Sequence, residues 1–195
     1  MDVVQTRRGR LDHPHCSGVF TLRAVDLDRD LATLHTWMND PVVAQYWLMA
    51  WSIERIAGYL RDQQASAHSW PFVGELDGIA VSYWELYRAD LDQLAQHYPA
   101  RDHDVGFHML VGPAAYRGHG LAGALMRIVA GWQLDAEPRA TRVVTEPDAR
   151  NRRVIRMLEV AGFHRAATLD LPTKQAALMV RDRDDSPGKT DSNLC

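Results

Sequence analysis

"DVGFHMLVGPAAYRGHGLAGALMRIVAGWQL", Asp104 to Leu134, decides the fold. Its first part, Asp104 to Val111, reads as a strand closed by Gly112-Pro113. Its second part puts Leu121, Leu125, Ile128 and Val129 on one helical face. Between the two lie Gly118 and Gly120, with Gly123 a turn further on. Each glycine weakens a helix start by up to about 1 kcal/mol relative to alanine, so the cluster asks for another reason. The first N–H groups of a helix lack partners and the dipole is positive there, which makes a helix start an anion site. Bare backbone lets such a ligand approach, and Arg117 adds charge. The alternative is that the glycines serve only close helix–strand packing. The loop is not a P-loop, because no Gly-Lys-Ser/Thr follows, and its spacing does not give G-x-G-x-x-G.

Working outward, "TRVVTE" (Thr141 to Glu146) reads as a strand, and the resulting β-α-β unit demands parallel strands with a right-handed crossover. "RNRRVIRMLEVAG" reads as a helix ending at Gly162, and "FHRAATLDL" and "KQAALMVR" as the last strands. Upstream, "FTLRAV" from Phe20 is a strand. "DLDRDLATLHTWMND" is a helix with Leu27, Leu31, Leu34 and Met38 on one face, capped by Asp26 or Asp28 and ended by Asp40-Pro41. A short helix follows from Pro41 to Trp47, and Ser52 caps "IERIAGYLRDQQA". "WPFVGELDGIAVSYWELY" is a hairpin turning at Asp77-Gly78. "RADLDQLAQHYPARDH" is a polar connection with one helical turn. The order β-α-α-β-β-β-α-β-α-β-β describes one α/β domain over residues 19–182, with a flexible leader at 1–18 and a disordered tail at 183–195.

Composition narrows the function classes. The chain has 195 residues, 46% of them hydrophobic and 24% charged, with a net charge of −3 that gives no support to nucleic-acid binding. No apolar run approaches the roughly 20 residues of a membrane span, and the N-terminus lacks the apolar stretch of a secretory signal. A cytoplasmic protein is expected. Cys16 and Cys195 suggest no disulfide framework. "HPHC" (His13 to Cys16) lacks the separated ligand pairs of a structural zinc site, so no metal is expected.

Two motifs carry a family resemblance. "RGHGLA" (Arg117 to Ala122) resembles the pyrophosphate loop of the GNAT acyltransferases, Gln/Arg-x-x-Gly-x-Gly/Ala. "NRRVIRMLEVAGF" (Asn151 to Phe163) is similar to their second signature, an asparagine opening the next helix before a leucine-rich stretch that ends in Gly-Phe. The resemblance implies about seven mostly antiparallel strands with a central parallel pair that splays, flanked by helices. It implies acetyl-CoA or another acyl-CoA as co-substrate, held by Met109, Leu110, Val111, Arg117, Gly118, His119, Gly120, Leu121, Ala122 and Asn151. "LHTWMNDP", "GELDG", "YWELY", "HYPARDHDVGFHMLVGP", "EPDARN" and "LPTKQAALM" resemble the siderophore-biosynthesis branch. That branch acylates the hydroxylamine nitrogen of N6-hydroxylysine, N5-hydroxyornithine or N-hydroxycadaverine.

The same resemblance implies that His108 and Glu146 are the catalytic pair, with Asp148 left to cap a helix. An imidazole titrating near neutrality suits the proton step. Taken alone, His108 reads equally as a partly buried histidine with a hydrogen-bond partner. Trp84, Glu85, Tyr87 and Tyr98 are expected to wall the channel for an aliphatic acceptor. Arg88 is the nearest partner for an acceptor carboxylate, and Asp90, Asp92, Asp102 and Asp104 for a second amine. The expected partners are a hydroxylated amine and acyl-CoA, with the chain a monomer or homodimer. The alternatives are an acetyltransferase for another amine, such as an aminoglycoside, and a non-catalytic acyl-CoA binder.

Overall fold

The computed structural model describes residues 6–183. Local chemistry sets most element boundaries. Asp26 caps α1 (Leu27–Asn39) by accepting from the Asp28 and Arg29 N–H groups. Asp40 caps α2 (Pro41–Trp47), which has proline in its first turn, and Ser52 caps α3 (Ile53–Ala65) through the Arg55 N–H. Strands β1 (Arg7–Leu11) and β2 (Gly18–Ala24) precede these helices. Strands β3 (Ser69–Leu76) and β4 (Ile79–Arg88) form the hairpin, with Asp77 at φ 48° and Gly78 at φ 82°, both left-handed as a type I′ turn requires. A single 3-10 turn at Gln93–Gln96 leads to β5 (Val105–Val111). Then come α4 (Leu121–Ala136), β6 (Arg142–Thr145), α5 (Arg152–Val160), β7 (His164–Leu171) and β8 (Lys174–Asp182).

The strands make one mixed sheet in the order β1-β2-β3-β4-β5-β6-β8-β7, in which β5 and β6 are the parallel neighbours and the other pairs are antiparallel. Helices cover it on both sides. Leu125, Met126 and Val129 of α4 pack with Phe20, Trp84 and Phe107 of the sheet. Leu34, Met38, Ile56 and Leu60 of α1 and α3 pack with Val73, Tyr83 and Leu110. No described helix is long and apolar enough to cross a membrane.

Two expectations are corrected here. The sheet has eight strands rather than seven, because Arg7–Leu11 pairs antiparallel with β2. That stretch is therefore not a flexible leader: Leu11 is 1% exposed, and Gly9 lies against the ring of Trp132. At the other end, Arg183 is tied down by bonds to the Leu134, Glu137 and Ala140 carbonyls, and the remainder of the expected tail lies outside the described residues.

Candidate active site

The parallel pair separates after two residue pairs. β5 and β6 are in register at Val105–Val143 and Gly106–Val144 only. At the fork the Thr145 hydroxyl donates to the Phe107 carbonyl at 2.9 Å. Beyond it opens a cavity of about 710 Å³. Strand alternation alone would send His108 and Leu110 to one face and Met109 to the other. Because β5 loses its neighbour here, His108, Met109, Leu110 and Val111 all border the cavity.

His108 stands between two carboxylates. Its Nε2 is 2.6 Å from Glu146 Oε1, and its Nδ1 is 3.2 Å from Glu85 Oε2. Glu146 also accepts from the Tyr87 hydroxyl at 2.8 Å and lies 3.7 Å from the Lys174 ammonium. Glu85 accepts from the hydroxyls of Tyr59 and Tyr83, at 2.7 and 3.0 Å. Desolvation by itself would lower the imidazole pKa. The charge and hydrogen bond of Glu146, then the contact with Glu85, outweigh it and push His108 up to about 10. Desolvation likewise raises Glu146, but His108, Lys174 and Tyr87 bring it down to about 2. At neutral pH the free protein thus holds an imidazolium between carboxylates, and the expected titration near neutrality is corrected.

The glycine loop leads into α4 without a side-chain cap. Gly118 has φ 91° and Gly120 φ 84°, a backbone conformation that side chains disfavour. Gly123 serves packing instead: a Cβ there would sit 3.2 Å from the Met157 carbonyl of α5. Gly118, Gly120, Leu121, Ala122 and Asn151 line the cavity with the end of β5. Arg117 reaches its wall but not as a free cation. It donates to the Val111 and Gly112 carbonyls and to Asp40 at 2.9 Å, tying the start of α2 to the end of β5. The guanidinium beside the loop belongs to Arg153, 3.2 Å from where a Gly118 Cβ would stand. The Arg152-Arg153 pair opening α5 was the available signal for it. His119 does not line the cavity; its ring lies 5.0 Å from that of His15. Asn151 is the cap of α5, accepting from Val154 N–H at 3.2 Å, while Asp148 accepts from the Arg150 N–H at 2.8 Å and pairs with its guanidinium at 2.7 Å, in the turn before the helix rather than as its cap.

Three of the four expected channel aromatics and acids fall elsewhere. Trp84 is fully buried, donating to Ser82 at 2.8 Å and packing edge-on to Phe107. Tyr98 donates to Asp104 at 2.9 Å, beside the Arg142–Asp104 ion pair. Tyr87 stands behind Glu146, its ring accommodated by Gly106, where a Cβ would meet it at 2.6 Å. Only Glu85 reaches the cavity, as the partner of His108. The apolar wall comes from Val42, Val43, Tyr46, Trp47 and Met49, in and after α2, with Tyr59 of α3. The helix "PVVAQYW" is largely apolar yet buries no residue, and the sequence alone gives no signal that this side faces a cavity.

The acceptor-charge candidates are also displaced, because Arg88 pairs with Asp90 at 2.6 Å and none of Arg88, Asp90, Asp92, Asp102 or Asp104 lines the cavity. The charged side chains that do are Arg117, Arg150, Arg152, Arg153 and Lys174, against Glu85, Glu146 and Asp148. Each of those three acids is ion-paired. Among the described residues no group of three or more His, Cys, Asp or Glu is placed to hold a metal ion.

Residues 26–171 match the acetyltransferase (GNAT) domain family. The chain is similar to N(6)-hydroxylysine O-acetyltransferase of Escherichia coli, with 35% identity over 170 residues, 87% of this chain and 54% of that protein. It is similar to lysine N-acyltransferase MbtK of Mycobacterium sp. (strain MCS), with 32% identity over 164 residues, 84% of this chain and 67% of that protein. The chain therefore spans about half the length of the first relative. Among solved structures, the aminoglycoside acetyltransferase AAC(6')-Ib with paromomycin and acetyl-CoA superposes with a TM-score of 0.78 and 26% identity, covering 89% of this chain and 99% of that one.

Proposed function

The chain belongs to the GNAT acetyltransferase family, and from that premise we propose that it is an acyl-CoA-dependent N-acyltransferase of hydroxamate siderophore biosynthesis. Its acceptor is the hydroxylamine nitrogen of an N-hydroxylated diamine of the N6-hydroxylysine, N5-hydroxyornithine or N-hydroxycadaverine type. The observation that carries this reading is the His108–Glu146 pair, 2.6 Å apart at the fork of the splayed strands and in the same cavity as an uncapped helix start. The names of the relatives and the acetyl-CoA bound by the structural neighbour support the two substrates. The catalytic unit in this reading runs from Arg7 to Asp182, needs no metal, and acts in the cytoplasm as a monomer or homodimer.

In the proposed reaction the amides of Gly118 to Ala122 hold the pyrophosphate, with Arg153 beside them. The strand end Met109 to Val111 guides the pantetheine arm, and a backbone N–H of Met109 or Leu110 polarises the thioester carbonyl. The acceptor nitrogen enters from the apolar α2 side. Its bond to the acyl carbon forms as the carbon–sulfur bond breaks. Glu146, already ionised, takes the proton leaving nitrogen, and the imidazolium of His108 gives its Nε2 proton to the departing sulfur. Proton return from Glu146 to Nε2 across their contact resets the pair. The products are a hydroxamate, which is a bidentate oxygen ligand for iron(III), and free coenzyme A.

An aminoglycoside is a poorer fit. A polycationic acceptor wants unpaired acids, whereas the cavity is lined by five Lys and Arg and by three acids that are all paired. The test is coenzyme A release from acetyl-CoA with N6-hydroxylysine, lysine, N-hydroxycadaverine and kanamycin in parallel. Fast release with a hydroxylamine and a product that forms a coloured iron(III) complex is expected. An O-acyl product, which lacks the hydroxamate group, overturns the choice of nitrogen. Acyl-CoA binding without turnover supports the non-catalytic alternative.

A further inference from the structure

Glu85 is directly opposite His108 in the antiparallel register of β4 and β5, so the two side chains leave the sheet as cross-strand neighbours. Glu85 is 5% exposed. One oxygen receives the Tyr59 and Tyr83 hydroxyls, from α3 and from β4, and the other faces His108 Nδ1 at 3.2 Å. Held on three sides, it is not free to turn toward an acceptor amine. Resting on the function proposed above, we infer that Glu85 is a positioning residue: it accepts the Nδ1–H of His108 and thereby fixes Nε2 as the nitrogen that faces Glu146 and exchanges the reaction's proton.

The chemistry requires such a partner. Which imidazole nitrogen keeps its proton is set by the hydrogen bond the other makes. With Nδ1–H bound to Glu85, loss of the Nε2 proton to sulfur leaves a lone pair aimed at the newly protonated Glu146, so the return transfer is direct. Without Glu85 the ring is free to rotate or to hold its proton on Nε2, and the return step is blocked. The groups around the imidazole are Glu85 and the Tyr87 ring of β4, 4.9 Å from it, and Glu146 past the end of β6. Lys174 of β8 and the Tyr87 hydroxyl act on it through Glu146, and Tyr59 of α3 and Tyr83 of β4 through Glu85. A purely structural Glu85 would satisfy two buried tyrosines and leave the ring's titration alone.

The test is 15N NMR of the histidine ring nitrogens in the full chain without substrate, with His108 assigned by His108→Gln. In the wild type, Nδ1 is expected to stay protonated from pH 6 to pH 9. In Glu85→Gln the ring's midpoint is expected to fall by at least one pH unit, with the neutral ring protonated on Nε2. The variant's kcat is expected to drop 10- to 100-fold, with KM for acyl-CoA within twofold and the basic limb of the kcat profile following the ring. An unchanged ring titration in Glu85→Gln overturns the inference. So does a wild-type Nδ1 that is unprotonated at pH 7, a result that stands even if the variant does not fold. Because the spectrum needs no substrate, absence of turnover in the wild type sinks the proposed function separately and leaves the ring assignment to be judged on the spectrum.

Discussion

His108 and Glu146 make stability depend on pH in opposite ranges. The proton affinity of His108 is raised from 6.5 to about 10, so its contribution is complete below pH 6.5 and is lost as pH climbs through 10. That of Glu146 is lowered from 4.5 to about 2, so its contribution is complete above pH 4.5 and is lost as pH falls through 2. Urea denaturation of wild type and His108→Gln should therefore differ most between these limits and converge toward pH 10; a constant difference would contradict the pairing. In turnover, His108→Ala should lose roughly 10²–10⁴-fold in kcat while still binding acyl-CoA by calorimetry. Trp84 is the contrasting residue. Trp84→Ala should cost about 3–5 kcal/mol of stability, with the acceptor KM of the remaining folded protein unchanged. That His108 and Glu146 come together was legible because family motifs surround them. Trp84 was misread because an aromatic in a strand buried on both faces looks, in sequence, like one lining a channel, and Tyr98 because its bond to the buried Asp104 carboxylate is not visible in sequence.

Among the elements, the glycine loop and α2 meet through one side chain. Arg117 binds the carbonyls ending β5 and the Asp40 carboxylate that caps α2. Arg117→Ala should free α2 and raise the acceptor KM more than the acyl-CoA Kd, a split that steady-state kinetics and calorimetry measure together. Gly120→Ala forces a Cβ into a left-handed backbone, at about 1–2 kcal/mol. It should lower the melting temperature and weaken acyl-CoA binding at once. Caps and turns such as Asp26, Ser52 and Asp77-Gly78 were legible because their chemistry is local. β1 was not: "RRGRL" has one large apolar residue, Leu11, and becomes a strand only by pairing with β2. Likewise α2 reads as a helix, but nothing in its seven residues says that its apolar side faces a cavity rather than the core.

For the whole molecule, the fold places the glycine loop and the apolar wall from α2 around the cavity that opens where the sheet splits. Deleting residues 1–12 should lower the melting temperature, because β1 carries buried Leu11 and covers Trp132 through Gly9; an unchanged value would return that stretch to the role of leader. The sequence by itself determined the types of the elements after β1, the β-α-β crossover and the two family motifs, since periodicity, caps and glycine spacing act within a few residues of chain. Only the tertiary structure decided that Glu85 joins Glu146 at His108, that Arg153 rather than Arg117 stands beside the loop, and that α2 lines the cavity. Those pairings join residues 23 to 38 positions apart, or on separate elements, and depend on strand register and on where two parallel strands part, which no local pattern encodes.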